Sequence, residues 1–210
     1  MSNSFIQSLV ADHKAVRRLN KRDPLILMSV LCLGAIAIVA ATLGLRGDVV
    51  NGHPAEIVLL RGGVLLALGL SSLVAVIAFS RPSVGRHSDG WIWALAVAAL
   101  FPGITLLAAV TGQFPGPVLR APSGPVCMIV CLALAIVMGA ALTLWARRGA
   151  PTRPVLQGWL IGLSSGAFAT FSYSLHCPSS SISYAGLWYT GAIVLAACSG
   201  RLLLPRLLRW

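Results

Sequence analysis

Two thiols and an imidazole carry the reactive chemistry available to this chain. Cys177 stands with His176 in Leu175-His176-Cys177-Pro178, and Cys127 lies upstream of them. A deprotonated thiol is a nucleophile, a soft metal ligand and one half of a disulfide. Two thiols facing an oxidising compartment can form a bond or act as a regulated dithiol. A protonated His176 ring close to Cys177 would favour the thiolate, and Cys127, His176 and Cys177 together would suit a thiophilic metal. The plainer alternative is that both cysteines are small apolar residues packed at helix ends. Cys32, Cys131 and Cys198 fall inside apolar runs and read as packing residues. No CxxC pair and no zinc-ribbon spacing occurs, so no structural metal and no cofactor is expected.

The elements that must position these groups are set by composition. Of 210 residues, 57% are hydrophobic and only 10% are charged, and the mean hydropathy is +0.86. A soluble domain carries about 25% charged residues. A chain this short has no interior large enough for so many apolar side chains, so its solvent is expected to be lipid. Six apolar windows of spanning length appear, at 25–45, 57–79, 91–111, 125–146, 155–175 and 184–204. Backbone groups in hydrocarbon must pair internally, so each window predicts a helix. The expected fold is an all-α integral membrane protein, a six transmembrane helix bundle over residues 25–210 behind a tail of residues 1–24. That tail is polar and charged, so no cleavable signal peptide is expected.

Orientation follows from the basic residues. The tail, the connectors at Arg81–Arg86 and Arg147–Arg153, and the stretch after the last window share one side, leaving Arg46 and Arg120 opposite. Such asymmetry places both termini in the cytoplasm. It also accounts for the net charge of +11 without nucleic acid. Cys127 and Cys177 then fall at the outer side, at the ends of the fourth and fifth windows. Arg61 lies one turn inside the outer end of the second window. It can snorkel to the headgroups or pair with a polar group in the bundle. In the tail, Ser4 and Gln7 fit a capping box, and Phe5, Ile6, Leu9, Val10, Val16 and Leu19 recur at near-helical spacing. This short basic amphipathic helix can lie on anionic lipid or enter a groove on a cytosolic protein.

Several classes are disfavoured. All five acidic residues lie outside the windows or at their edges, whereas a coupled transporter keeps an ionisable group near the midplane. No convergent acid, base and nucleophile set suggests an enzyme or a small-molecule substrate. A membrane thiol-disulfide oxidoreductase using quinone is the one enzymatic alternative, and it lacks the close outer CxxC pair such relays use. Phe101-Pro102-Gly103 predicts a kink in the third window, and Gly162 with Gly166 reads as GxxxG packing.

Three features resemble the NrsF family of membrane anti-sigma factors. They are the six-window layout with a short tail, Ala15-Val16-Arg17-Arg18-Leu19, and Leu175-His176-Cys177-Pro178 followed by Trp188-Tyr189. The tail element is similar to the family's "PVRRL", with Ala15 where the family has proline, and the last element is similar to its "LHCP" and "WY". The spacing of Cys127 and Cys177 also resembles that of the family's two key cysteines. The resemblance implies a multi-pass protein of the bacterial inner membrane that sequesters a cytosolic extracytoplasmic-function sigma factor. Release on redox or heavy-metal stress would be sensed by Cys127 and Cys177, with His176 as accessory. Leu9, Val16, Arg17, Arg18 and Leu19 would meet the sigma factor.

Overall fold

The computed structural model describes residues 20, 22–80, 123–149, 153–179 and 181–208, with positions 92, 99, 103, 106 and 110. The tail motif, with Leu9, Val16, Arg17, Arg18 and Leu19, lies outside these residues. So do most of the third expected span and its Phe101-Pro102 kink. Ile92, Ala99, Gly103, Leu106 and Val110 are helical and exposed.

Among the described residues there are helices and no strands. Helix α1 spans Arg22–Thr42, α2 is a single turn at Gly47–Val50, α3 spans Glu56–Phe79, α4 Ser123–Ala146 and α5 Pro154–Ser174. A helical turn at Ile182–Tyr184 and a π-helical turn at Ala185–Tyr189 then lead into α6, Thr190–Leu208. Four segments among the described residues are long and apolar enough to cross a membrane: Arg22–Thr42, Glu56–Phe79, Ser123–Ala146 and Ala185–Leu208. These helices overlap the apolar windows 25–45, 57–79, 125–146 and 184–204. The largest differences are at α1, which begins earlier and stops just before Gly44 (φ +80°), and at α6, which runs on through Pro205. A positive φ favours glycine at the first position.

The helix missing from that set, α5, is the centre of the molecule. It packs against α6, α3, α4 and α1 and is buried over most of its length. Enclosure by protein relaxes the demand for apolar side chains, and α5 carries Gln157, Ser164, Ser165, Thr170, Ser172 and Ser174 in buried positions. Most of their groups are served within the protein, Gln157 Oε1 and Thr170 Oγ1 being without a partner among the described residues. Ser172 Oγ donates to Phe168 O (2.9 Å), Ser164 Oγ to Gly69 O of α3 (3.2 Å), and Gln157 Nε2 to Val76 O and Ser80 Oγ (3.1 and 2.7 Å). The outer helices show the reverse pattern. Ile26, Val30 and Leu33 of α1 are each more than 60% exposed, as a lipid-facing surface requires.

Helices α5 and α6 touch backbone to backbone. A Cβ added at Gly158 would strike the carbonyl oxygen of Gly200, and one at Gly162 would strike that of Ala196. Gly162 and Gly166 therefore pack as the GxxxG reading expects, with Gly158 and Gly200 extending the seam. Hydrophobic contacts gather at two levels. Met28, Ile77, Trp145 and Leu208 belong to the cluster at the end holding the chain's first and last described helical residues. Leu65, Cys127, Tyr173, Cys177 and Tyr189 belong to the cluster at the other, motif-bearing end.

Candidate sensor site

The Leu175–Pro178 motif begins where α5 stops. His176 N and Cys177 N both bond to Tyr173 O (3.0 and 3.3 Å), a tightened last turn that brings Cys177 back over the bundle. Its carbonyls, and those beside it, point out of any helix and need donors. Two arginines provide them. Arg61 of α3 donates through Nη2 to Ser174 O (2.8 Å) and through Nη1 to Ser179 O (3.0 Å), bracketing the motif. Arg46 donates through Nη1 to Cys177 O and Pro178 O (3.1 Å each), while its backbone N–H bonds to Leu175 O (3.2 Å).

Arg61 thus corrects the snorkelling reading. Its side chain is 5% exposed, and its guanidinium sits 5.3 Å from the centroid of the Tyr189 ring. The charge is held by two carbonyl dipoles and an aromatic face rather than by lipid headgroups. Arg46 is the residue that sequence reasoning missed as part of the site. Its Nε bonds to Asp48 Oδ1 (2.8 Å), and Asp48 also accepts from Val49 N and Ala55 N (3.1 and 3.4 Å). The Arg46 hydrogen bond is the main reason the Asp48 carboxyl is lowered to about 2. A lowered carboxyl stabilises the fold above the ordinary carboxylate range and loses that contribution only as pH falls through about 2. The Arg46 clamp is consequently insensitive to pH across the physiological range.

Beneath the clamp lies a sealed group of thiols and phenols. Cys127 is 0% and Cys177 2% exposed, and both belong to one cluster with Cys131, Tyr173, Tyr184 and Tyr189. The structure thus brings the two expected sensor cysteines to the same end and the same cluster, as free thiols. Cys131, one turn along α4 from Cys127, belongs to the same cluster, as does Tyr184, whose hydroxyl donates to Ser123 Oγ (3.3 Å). Cys131, read as a packing residue, is buried in this cluster at 1% exposed. The buried Tyr189 hydroxyl has no hydrogen-bond partner among the described residues.

His176 is turned toward the end of α1. Its Nδ1 donates to Gly44 O (2.8 Å) and its ring meets Tyr173 edge-on at 5.6 Å, so the imidazole ties α5 to the end of α1. It borders an open cleft of about 470 Å³ with Arg46, Asp48 and Pro178. No three His, Cys, Asp or Glu side chains among the described residues are grouped to hold a metal, so Cys127, His176 and Cys177 do not form the ligand set the sequence allowed.

The Trp188-Tyr189 pair lies in the π-helical turn, where one extra residue per turn rotates both rings relative to an α-helix. Tyr189 faces the cluster, and Trp188 occupies the space left by the missing side chain of Gly124 on α4. The turn thereby joins the start of α6 to the helix bearing Cys127.

Among the described residues, four helices long and apolar enough to cross a membrane, with a more polar one at their centre, give the chain the character of a helical membrane protein. Residues 9–210 match the model of the NrsF family, described as negative regulator of sigma F, and the chain belongs to that family. It is 33% identical over 219 aligned positions to the anti-sigma-F factor NrsF of Caulobacter vibrioides (strain NA1000 / CB15N), covering 100% of this chain and 99% of that protein. It is 30% identical over 182 positions to the probable anti-sigma-F factor NrsF of Azospira oryzae (strain ATCC BAA-33 / DSM 13638 / PS), covering 84% of each. No solved structure matches the chain.

Proposed function

We propose that this chain is a six-span anti-sigma factor of the bacterial inner membrane and not an enzyme. It holds an extracytoplasmic-function sigma factor through its cytoplasmic N-terminal tail, and it releases that factor when redox or heavy-metal stress reaches Cys127 and Cys177. The observation that carries the sensing part is the convergence of both thiols in one buried cluster under a motif loop clamped from two other segments. Buried thiols are poor targets until the loop lifts or the outer helix ends part. Reaction is thereby tied to a change of packing, and a bundle with two packings of similar free energy can carry it to the other end.

The six-span reading gains support from helix direction. The last turns of α3 and α4, at Ile77 and Trp145, share one cluster, so these two helices run parallel. Two spans that run the same way need a further crossing between them in the chain, and 91–111 is long enough to make it. Reporter fusions at Arg86 and Gly149 are expected to read cytoplasmic, and fusions at Asn51, Gly116 and Ser180 periplasmic. A periplasmic signal at Gly149 would reverse the sensor's side.

The tail is tested by deleting residues 2–20. The bundle should still insert, because the spans satisfy their own backbone, while the sigma factor is no longer retained at the membrane. Retention by the truncated protein would move the binding surface to the inner loops. Charge reversal of Arg17 and Arg18 to Glu should weaken binding and flatten its salt dependence.

The thiols are tested by inducibility. Cys127→Ser and Cys177→Ser should each abolish the stress response, and the double variant should be no worse than either. Cys32→Ser and Cys198→Ser should leave it intact. A Cys177→Ser protein that still frees its sigma factor on oxidant or metal challenge would reduce these residues to packing.

A further inference from the structure

A second feature lies at the opposite end of the bundle from the thiols. Between the start of α5 and the second half of α6 is a cavity of about 620 Å³ lined by Arg153, Pro154, Val155, Leu156, Trp159, Leu160 and Arg201. Its floor is apolar, and the polar side chains on it are two exposed arginines and the indole N–H of a half-buried Trp159. No carboxylate lines it, and the one ion pair among the described residues is Arg46–Asp48, at the far end. Two cations beside an apolar hollow on a lipid-facing surface specify a ligand with an anionic head and a hydrocarbon body.

We propose that this cavity binds one anionic phospholipid, its phosphate held by Arg153 and Arg201 and an acyl chain lying over Pro154, Val155, Leu156 and Leu160. Trp159 is half-buried in the cavity wall, and indole rings favour the membrane interface. Basic pockets between spans recognise phospholipid headgroups through this pairing of charge and hydrocarbon. The chain's own tail is a poor occupant, since Lys14, Arg17, Arg18, Lys21 and Arg22 would be driven into two more cations. A soluble acidic surface would meet the arginines but leave the apolar floor wet. The seam beside the cavity is the close α5–α6 contact at Gly158 and Gly200, and α5 is also the helix that ends in the Leu175–Pro178 motif. A lipid seated here therefore braces the element that carries Cys177.

The test uses the full-length protein, delipidated in a mild non-ionic detergent and titrated with dioleoylphosphatidylglycerol or dioleoylphosphatidylcholine. Bound lipid is counted by native mass spectrometry. Quenching by a brominated phosphatidylglycerol is compared between wild type and Trp159→Phe to isolate this one indole. Phosphatidylglycerol should be retained over phosphatidylcholine, with quenching lost in Trp159→Phe. Arg153→Gln and Arg201→Gln should each weaken retention about fivefold, and the double variant by more than tenfold. Because both arginines are exposed, the variants should elute as the wild type does on size exclusion. The control is Arg147→Gln with Arg148→Gln, at the same end but outside the cavity lining. An equal loss in that control would make the effect one of general surface charge and overturn the site. Full competition by millimolar inorganic phosphate would reduce it to an anion site without a lipid. Unchanged lipid retention in Arg153→Gln/Arg201→Gln, with weakened capture of the sigma factor, would assign the cavity to the protein partner instead.

Discussion

Arg61→Met should loosen the motif loop and lower the stability of the bundle by about 2–4 kcal/mol, from hydrogen bonds to a charged donor worth roughly 1.5–3 kcal/mol each. Two such bonds disappear, to Ser174 O and Ser179 O, and both carbonyls lose the partner they have in the protein interior. The contact with the Tyr189 ring goes too, at about 0.5–2 kcal/mol. Two terms offset the loss. Methionine removes the cost of holding a guanidinium away from water, with its Nε unpaired, and Arg46 still bonds to Cys177 O and Pro178 O. Arg61→Lys should fall between, because one ammonium cannot reproduce the planar fork that spans two carbonyls. Thermal unfolding in detergent gives the stability, and the rate at which a small maleimide labels Cys177 gives the state of the loop. Labelling should accelerate in Arg61→Met as the cover over a 2% exposed thiol opens. An unchanged melting temperature together with unchanged labelling would mean that Arg46 alone holds the motif.

Gly162→Leu should do more damage, preventing α5 and α6 from docking. A Cβ at Gly162 already meets the backbone of Ala196 and lies 2.8 Å from Ala197 Cα. Overpacking against side chains costs about 1–3 kcal/mol because rotamers can shift, whereas a backbone obstacle can move only with its whole helix. The seam continues at Gly158 and Gly200, so separating the helices at Gly162 forfeits those contacts as well. The expected result is a protein that inserts but fails to reach a folded, monodisperse state, and Gly162→Ala should already melt lower than wild type. Gly63→Ala supplies the contrast. That glycine is exposed on α3 with nothing within 4 Å of an added Cβ, and helix propensity alone predicts a gain of up to about 1 kcal/mol. Equal behaviour of Gly162→Ala and Gly63→Ala would show that the α5–α6 seam relaxes freely.

Much of this architecture was legible along the chain. Four long apolar helices followed from hydropathy, because a helix that faces lipid must advertise it residue by residue. The placement of Cys127 and Cys177 at one end needed only the count of crossings between them. The Gly162–Gly166 contact followed from the rule that helices close together only where side chains are absent. Three things did not follow. Helix α5 looked like one span among six, and only its neighbours show that it is the axis, since enclosure by protein is what lets its serines and Gln157 be buried. Arg61 was ambiguous because an arginine near a helix end either snorkels or pairs, and the choice depends on acceptors brought from elsewhere in the chain. Here those acceptors are carbonyls freed where α5 ends, 113 residues away for Ser174, and Arg46 finds Cys177 O across 131. Hydropathy and spacing are properties of single segments, so they determine which segments enter the membrane and in what order. Which segment encloses which, and where an unpaired carbonyl meets a buried cation, is decided only when the helices pack.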